Sequence, residues 1–147
     1  MTIELREATA DDLPDVLALY AQPAMDNGMV LPTTEAEAVL AEFARYPSYR
    51  LFVACEGAAV VGSYALLVMH NLAHRGTPSA IVEDVVVAPG HQGRGLGRRM
   101  MVHALGLARD AGCYKLALSS NRKRQAAHGF YESLGFSQHG LSFTMEL

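Results

Sequence analysis

The chain has 147 residues, half of them apolar, which suits one domain burying roughly 70% of the surface its unfolded form exposes. No apolar run approaches the roughly 20 residues of a bilayer span, and a formal net charge of −3 argues against a general nucleic-acid binder. Glu4 and Glu7 fall where a secretory leader would need a hydrophobic stretch. Cys55 and Cys113 lie far apart and outside any Cys-x-x-Cys pair, so a cytoplasmic chain with reduced thiols is expected, and neither a zinc site nor a redox pair.

Ile3 to Glu7 reads as a short opening strand. Thr9 then offers a helix N-cap, followed by Leu13, Val16, Leu17 and Tyr20 at helical spacing. A loop through Pro23, Asn27, Gly28 and Pro32 leads to Thr34, a second N-cap, and to a helix with Val39, Leu40 and Phe43 on one face. Tyr49 to Glu56 and Val60 to His70 predict a hairpin across Gly57-Ala58-Ala59. Asn71 to Pro78 is a polar loop, Ala80 to Val87 a strand, Leu96 to Ala111 a helix, and Tyr114 to Ser120 a further strand. Gln125 to Leu134 is the last predicted helix, stopped at Gly135, and Leu141 to Glu146 alternates as a closing strand. The order β-α-α-β-β-β-α-β-α-β predicts one mixed α/β domain over residues 1–147, with no linker or repeat.

The most informative segment joins the strand at Val85-Val86-Val87 to the helix beginning near Leu96. Between them, after Ala88-Pro89-Gly90-His91, Gln92-Gly93-Arg94-Gly95-Leu96-Gly97-Arg98 places three glycines in alternate positions. A strand, a glycine turn and a helix start gather unpaired backbone N–H groups and the positive end of a helix dipole at one point, which suits a phosphate or pyrophosphate. A Walker loop needs Lys-Ser/Thr after its last glycine, and here Arg98-Arg99 follow. A dinucleotide fingerprint needs its third glycine three places after the second, and the spacing here is two. Basic residues collect at Arg94, Arg98 and Arg99 and again at Arg122, Lys123 and Arg124, as expected for small anionic ligands; Arg98 and Arg99 equally suit a solvated helix end.

Gln92-x-x-Gly95-x-Gly97 after a valine-rich strand resembles the coenzyme A pyrophosphate loop of the GNAT N-acetyltransferase family. Asn121, then His128-x-Phe130-Tyr131-x-x-x-Gly135-Phe136, is similar to the second signature of that family. The resemblance covers nearly the whole chain. It implies a central mixed, mostly antiparallel sheet with splayed strands, flanked by about four helices. It further implies acetyl-CoA as cosubstrate, held by Val85, Val86 and Val87 through main-chain pairing, by Gln92, Gly93, Arg94, Gly95, Leu96, Gly97 and Arg98 at the turn, and by Asn121, His128 and Phe130. Tyr131 takes the role of acid toward the departing thiolate. Phe130 and Leu134, four apart, are expected to serve the core.

Two carboxylates in an otherwise apolar strand, Glu83 and Asp84, are candidates for the amine site. Glu83 is the favoured base, acting directly or through water, and Asp84 a substrate contact; the alternative is a water chain as base, with both carboxylates binding the substrate ammonium. Strict alternation puts them on opposite faces unless a bulge intervenes. His128 and His139 are lesser candidates for proton transfer. Ile81 to Val87 with Gly112 to Lys115 resembles glucosamine-6-phosphate N-acetyltransferases, and residues 121–131 with 139–143 resemble aminoalkylphosphonate N-acetyltransferases. The expected acceptor is therefore a small amine bearing phosphate, phosphonate or an amino sugar, contacted by Ser119, Lys123 and Arg124; the same basic cluster also suits the coenzyme 3′-phosphate. Met25, Met29, Asn71, His74 and Arg75 are candidate walls of its pocket. Acetylation of a protein N-terminus or lysine, and non-catalytic acyl-CoA sensing, are the alternatives. The resemblance also implies a homodimer.

Overall fold

A computed structural model describes residues 2–120 and 124–147. The chain divides into two compact units, Met1–Ala117 and Leu118–Leu147. The elements are β1 (Glu4–Glu7), α1 (Leu13–Tyr20), α2 (Thr33–Phe43), β2 (Tyr49–Glu56), β3 (Ala59–Met69), β4 (Ser79–Val87), α3 (Leu96–Asp110), β5 (Leu116–Leu118) and α4 (Gln125–Ser133), with short 3₁₀ turns before α1, before β4 and before α3. The five strands form one mixed sheet in the order β1-β2-β3-β4-β5. β1 to β4 pair antiparallel; β2 and β3 are joined by a tight hairpin, whereas α1 and α2 both intervene between β1 and β2.

Alternation along β2 sorts the two faces of the sheet. Leu51, Val53 and Cys55 join Leu13, Val16 and Leu17 of α1, Ala36 of α2 and Ala65 of β3 in one buried cluster. Phe52 and Tyr64 lie on the other face, near His103 of α3, whose Nδ1 is 2.6 Å from the Tyr64 hydroxyl. α3 buries Leu96, Met100, Met101, Ala104 and Ala108, a stripe at the period of a helix packed on a sheet. Gly62 of β3 lets it come close, for a Cβ there would stand 3.0 Å from the Met100 sulfur. The opening of α1 is locked by charge. Arg6 grips Asp12 with two hydrogen bonds of 2.7 and 2.8 Å, and Asp12 also accepts from the Thr9 amide at 2.8 Å. These contacts, the guanidinium first, hold the Asp12 carboxyl below its ordinary range.

Three expectations need correcting. Thr34 is not the cap of α2, because the helix begins at Thr33 with Pro32 at the cap position, its carbonyl already accepting the Ala36 amide. The strand expected over 114–120 is only three residues long. The closing strand over 141–146 is absent: residues 141–147 take no regular structure, and Leu141, Phe143 and Met145 are exposed. Period two fixes which side chains share a face, but a strand also needs a partner backbone for its N–H and C=O groups.

Candidate active site

β4 carries the first part of the site. Its register with β3 runs from Ala65 opposite Glu83 to Ser63 opposite Val86, so Asp84 and Val85 together face the single residue Tyr64. This is a β-bulge, and Asp84 takes the left-handed conformation at φ 55°. The expected alternation is broken there, and Glu83 and Asp84 are both exposed. Desolvation raises the pKa of each; Asp84 adds to the effect on Glu83, and Asp26 to that on Asp84.

Asp26 belongs to the loop between α1 and α2, so the fold brings three carboxylates into electrostatic reach. Two phenols adjoin them. Tyr20 and Tyr49 are raised first by burial and next by the charge of Asp84. Tyr20 and Asp26 also line a cavity of about 170 Å³, otherwise walled mainly by apolar side chains of α1 and α2 such as Leu17, Leu40 and Phe43. A larger hollow of about 340 Å³ lies beside Tyr46, Tyr49 and Arg50. Neither cavity includes the glycine turn. Sequence reading missed Asp26, Tyr20 and Tyr49, which carry no motif and sit some 35 to 65 positions from Asp84.

The glycine turn forms the second part. Gly93 and Gly95 have φ of 76° and 80°, the left-handed region that glycine enters without strain. Among the described residues, a Cβ at either would meet no atom within 4 Å, so they leave the space before the turn open. Gly95 is the N-cap of α3, no side chain caps the helix, and its first turn holds no acid. Arg94 and Arg98 are exposed on the flanks, whereas Arg99 donates to the Ile3 carbonyl at 3.1 Å. The Leu96 side chain is buried and the Val86 side chain nearly so, which leaves their main chain to serve a ligand. Open left-handed glycines, an uncapped helix start and two exposed arginines together fit a pyrophosphate. Gln92 donates its side-chain amide to the Val87 carbonyl at 3.2 Å and to Gln22 at 3.4 Å.

Among the expected pocket walls, Asn71 is engaged in its own loop. Its amide donates to the Thr77 carbonyl at 2.8 Å and to the Ser79 hydroxyl at 3.3 Å. His74 rests against the Tyr114 ring, and Arg75 takes φ 59°. Met29 is exposed and Met25 half-buried.

Ser119, Arg124, His128, Phe130 and Tyr131 belong to the second unit, and His139 stands exposed there. Tyr131, on α4, lies 5.3 Å from the Phe130 ring centre and 5.9 Å from that of Phe136. Burial raises its phenol pKa and Arg124 draws it back. Phe130 and Leu134 are half-buried rather than fully enclosed. Asn121, Arg122 and Lys123 lie outside the described residues, so the coenzyme role expected of Asn121 and the acceptor role expected of Lys123 fall there too.

The sequence matches the acetyltransferase (GNAT) family over residues 13–136, and the chain belongs to that family. It is 31% identical to the aminoalkylphosphonate N-acetyltransferase of Salmonella typhimurium, covering 98% of this chain and 91% of that protein. It is 35% identical to the glucosamine 6-phosphate N-acetyltransferase of Trypanosoma brucei brucei over 60% of this chain; that match spans 58% of the trypanosome protein. Among solved structures, a putative acetyltransferase from Agrobacterium tumefaciens superposes with a TM-score of 0.90 at 38% identity, covering 98% of this chain and 99% of that one.

Proposed function

We propose that the two units act as one acetyltransferase domain, moving an acetyl group from acetyl-CoA directly to the primary amine of a small molecule. The observation that carries this reading is the continuity of β4: within fifteen residues the strand supplies the bulged carboxylates at Glu83 and Asp84 and leads into the open glycine turn at Gly93–Gly95. When bound, acetyl-CoA supplies a thioester carbonyl for the amine to attack.

The chain's residues handle the charges and protons. Amides of the turn and the start of α3, with Arg94 and Arg98, hold the pyrophosphate, and the backbone of Val85–Val87 lines the pantetheine arm. Glu83, aided by Asp84, binds the incoming ammonium and takes its proton, for which a carboxylate of raised pKa is suited. A main-chain N–H near Val85 meets the oxyanion that develops on the carbonyl. Tyr131 returns a proton to the departing thiolate, and its raised pKa keeps the phenol protonated until then.

The finer acceptor class, an amine carrying phosphate, phosphonate or an amino sugar, is supported by the names of the relatives and by the basic Lys123 and Arg124. A homodimer is supported by the exposed, alternating Leu141, Phe143 and Met145, and a cytoplasmic setting by the unpaired Cys55 and Cys113.

Thiol release from acetyl-CoA tests the proposal, with wild type and Tyr131→Phe set against aminoalkylphosphonates, amino-sugar phosphates, polyamines and amino acids. Turnover on one class, cut about 100-fold in the variant, is expected. Coenzyme binding without turnover on any amine points instead to a protein substrate or a sensor.

A further inference from the structure

Resting on that reading, we propose that Gln22 is a positioning residue that couples the glycine turn to the α1–α2 loop, so that coenzyme bound at the turn tightens the loop carrying Asp26.

Three separate elements meet at Gln22. Its side-chain amide donates to the Val87 carbonyl, the last residue of β4, at 3.0 Å. Gln92, first residue of the glycine motif, donates to the same oxygen at 3.2 Å and to the Gln22 side-chain oxygen at 3.4 Å. Both lone pairs of that carbonyl are therefore used, and the two glutamines share one network.

The other half of the coupling is main-chain. The carbonyl of Gln22 accepts from the amides of Met25 and Asn27, each at 3.0 Å. The Ala21 carbonyl accepts from Gly28 at 3.0 Å and that of Tyr20 from Asp26 at 2.9 Å. The loop thus hangs on three successive carbonyls at the end of α1, and Gln22 is the one among them whose side chain reaches across to the turn. Asp26, held in that loop, acts on Asp84 through its charge.

A pyrophosphate held by the main-chain amides of the turn fixes the turn and, with it, Gln92. Gln92 then keeps its bonds to the Val87 carbonyl and the Gln22 side-chain oxygen for a larger share of the time, and Gln22, held on β4, tightens the loop through its own carbonyl. Coupling of this kind is reciprocal: an amine that orders the loop must also tighten the coenzyme. Nothing in the local sequence marks Gln22, because its partners lie 65 and 70 positions away.

Residue-resolved amide hydrogen exchange on the full chain, with and without saturating CoA, tests the coupling. The variants are Gln22→Leu, which removes donor and acceptor, and the near-isosteric Gln22→Glu, which keeps only the acceptor; CoA affinity is measured calorimetrically on the same samples. In wild type, CoA should slow exchange at Met25, Asn27 and Gly28 by about fivefold or more. Gln22→Leu should show less than about a twofold effect and Gln22→Glu less than half the wild-type effect, with CoA affinity within about threefold of wild type. In turnover, both variants should raise the amine KM several-fold more than they lower kcat, a split that a general loss of stability does not produce. Gln22→Glu carries the test if the leucine variant fails to fold. CoA binding to wild type without loop protection overturns the coupling, as does a wild-type response in Gln22→Glu. No CoA binding to wild type overturns the functional reading and the coupling with it.

Discussion

In the proposed mechanism, Asp84 trades stability for chemistry. Its left-handed backbone is uncommon for a non-glycine residue, and its carboxyl is less readily ionised in the fold than in the unfolded chain. A folded-state pKa raised above the unfolded value means the fold binds protons more tightly than the open chain does. The charged carboxylate therefore weakens the fold above that pKa, and the cost is relieved as pH falls through it. Asp84→Asn should leave the melting temperature equal or higher at pH 7 while lowering kcat/KM at least about tenfold. The acid limb of the kcat/KM profile should stand above the ordinary carboxylate range of about 4, because both Glu83 and Asp84 are raised.

Asp12 has the opposite sign. Its depressed carboxyl supports the fold above the unfolded pKa and loses that support as pH falls through the folded value. Arg6 is 37% exposed, so solvent screens the pair. Asp12→Asn should cost about 1–2 kcal/mol at pH 7, read by urea unfolding, and the gap from wild type should close as the pH is brought down through the acid range.

At the scale of elements, α2 and α3 are built to different firmness. α3 buries five residues against the sheet, whereas α2 fully buries Ala36 alone and leaves Val39 at 46% exposure. Amides of α2 should exchange about 100-fold faster than those of α3 in the free protein, since helical stability in a protein comes mostly from the packed face. The glycine turn, the hairpin and α3 were legible because each rests on local chemistry: left-handed glycines, alternation of apolar side chains, and a stripe at helical period. The bulge at Asp84 was not, because its cause lies in register against β3 rather than in β4 itself. The cap of α2 was misplaced by two residues because Pro32 carries no side-chain capping group to announce it, while its main-chain carbonyl accepts the first helical amide all the same.

At the scale of the molecule, the family was legible in two motifs spaced across the chain, and the match over residues 13–136 agrees with it. The acceptor was less so. The surroundings proposed for it are assembled from α1, the α1–α2 loop, β2 and β4, and no local pattern announces that the charge of Asp84 will act on Tyr20 and Tyr49 and that of Asp26 on Asp84. The tail over 141–147 shows the same limit in reverse, with strand-like alternation but no regular structure.

The claim on which the rest depends is that the turn at Gly93–Gly97 holds the coenzyme, and a calorimetric titration of CoA into wild type and Gly95→Val tests it most directly. Gly95 has φ 80° with open space before it, so a valine there strains the turn by about 1–3 kcal/mol and fills the approach to the helix amides. Wild type should bind one CoA per chain, and a variant that circular dichroism shows still folded should bind it at least about tenfold more weakly. Equal affinity in the folded variant, or no binding to wild type, contradicts that claim.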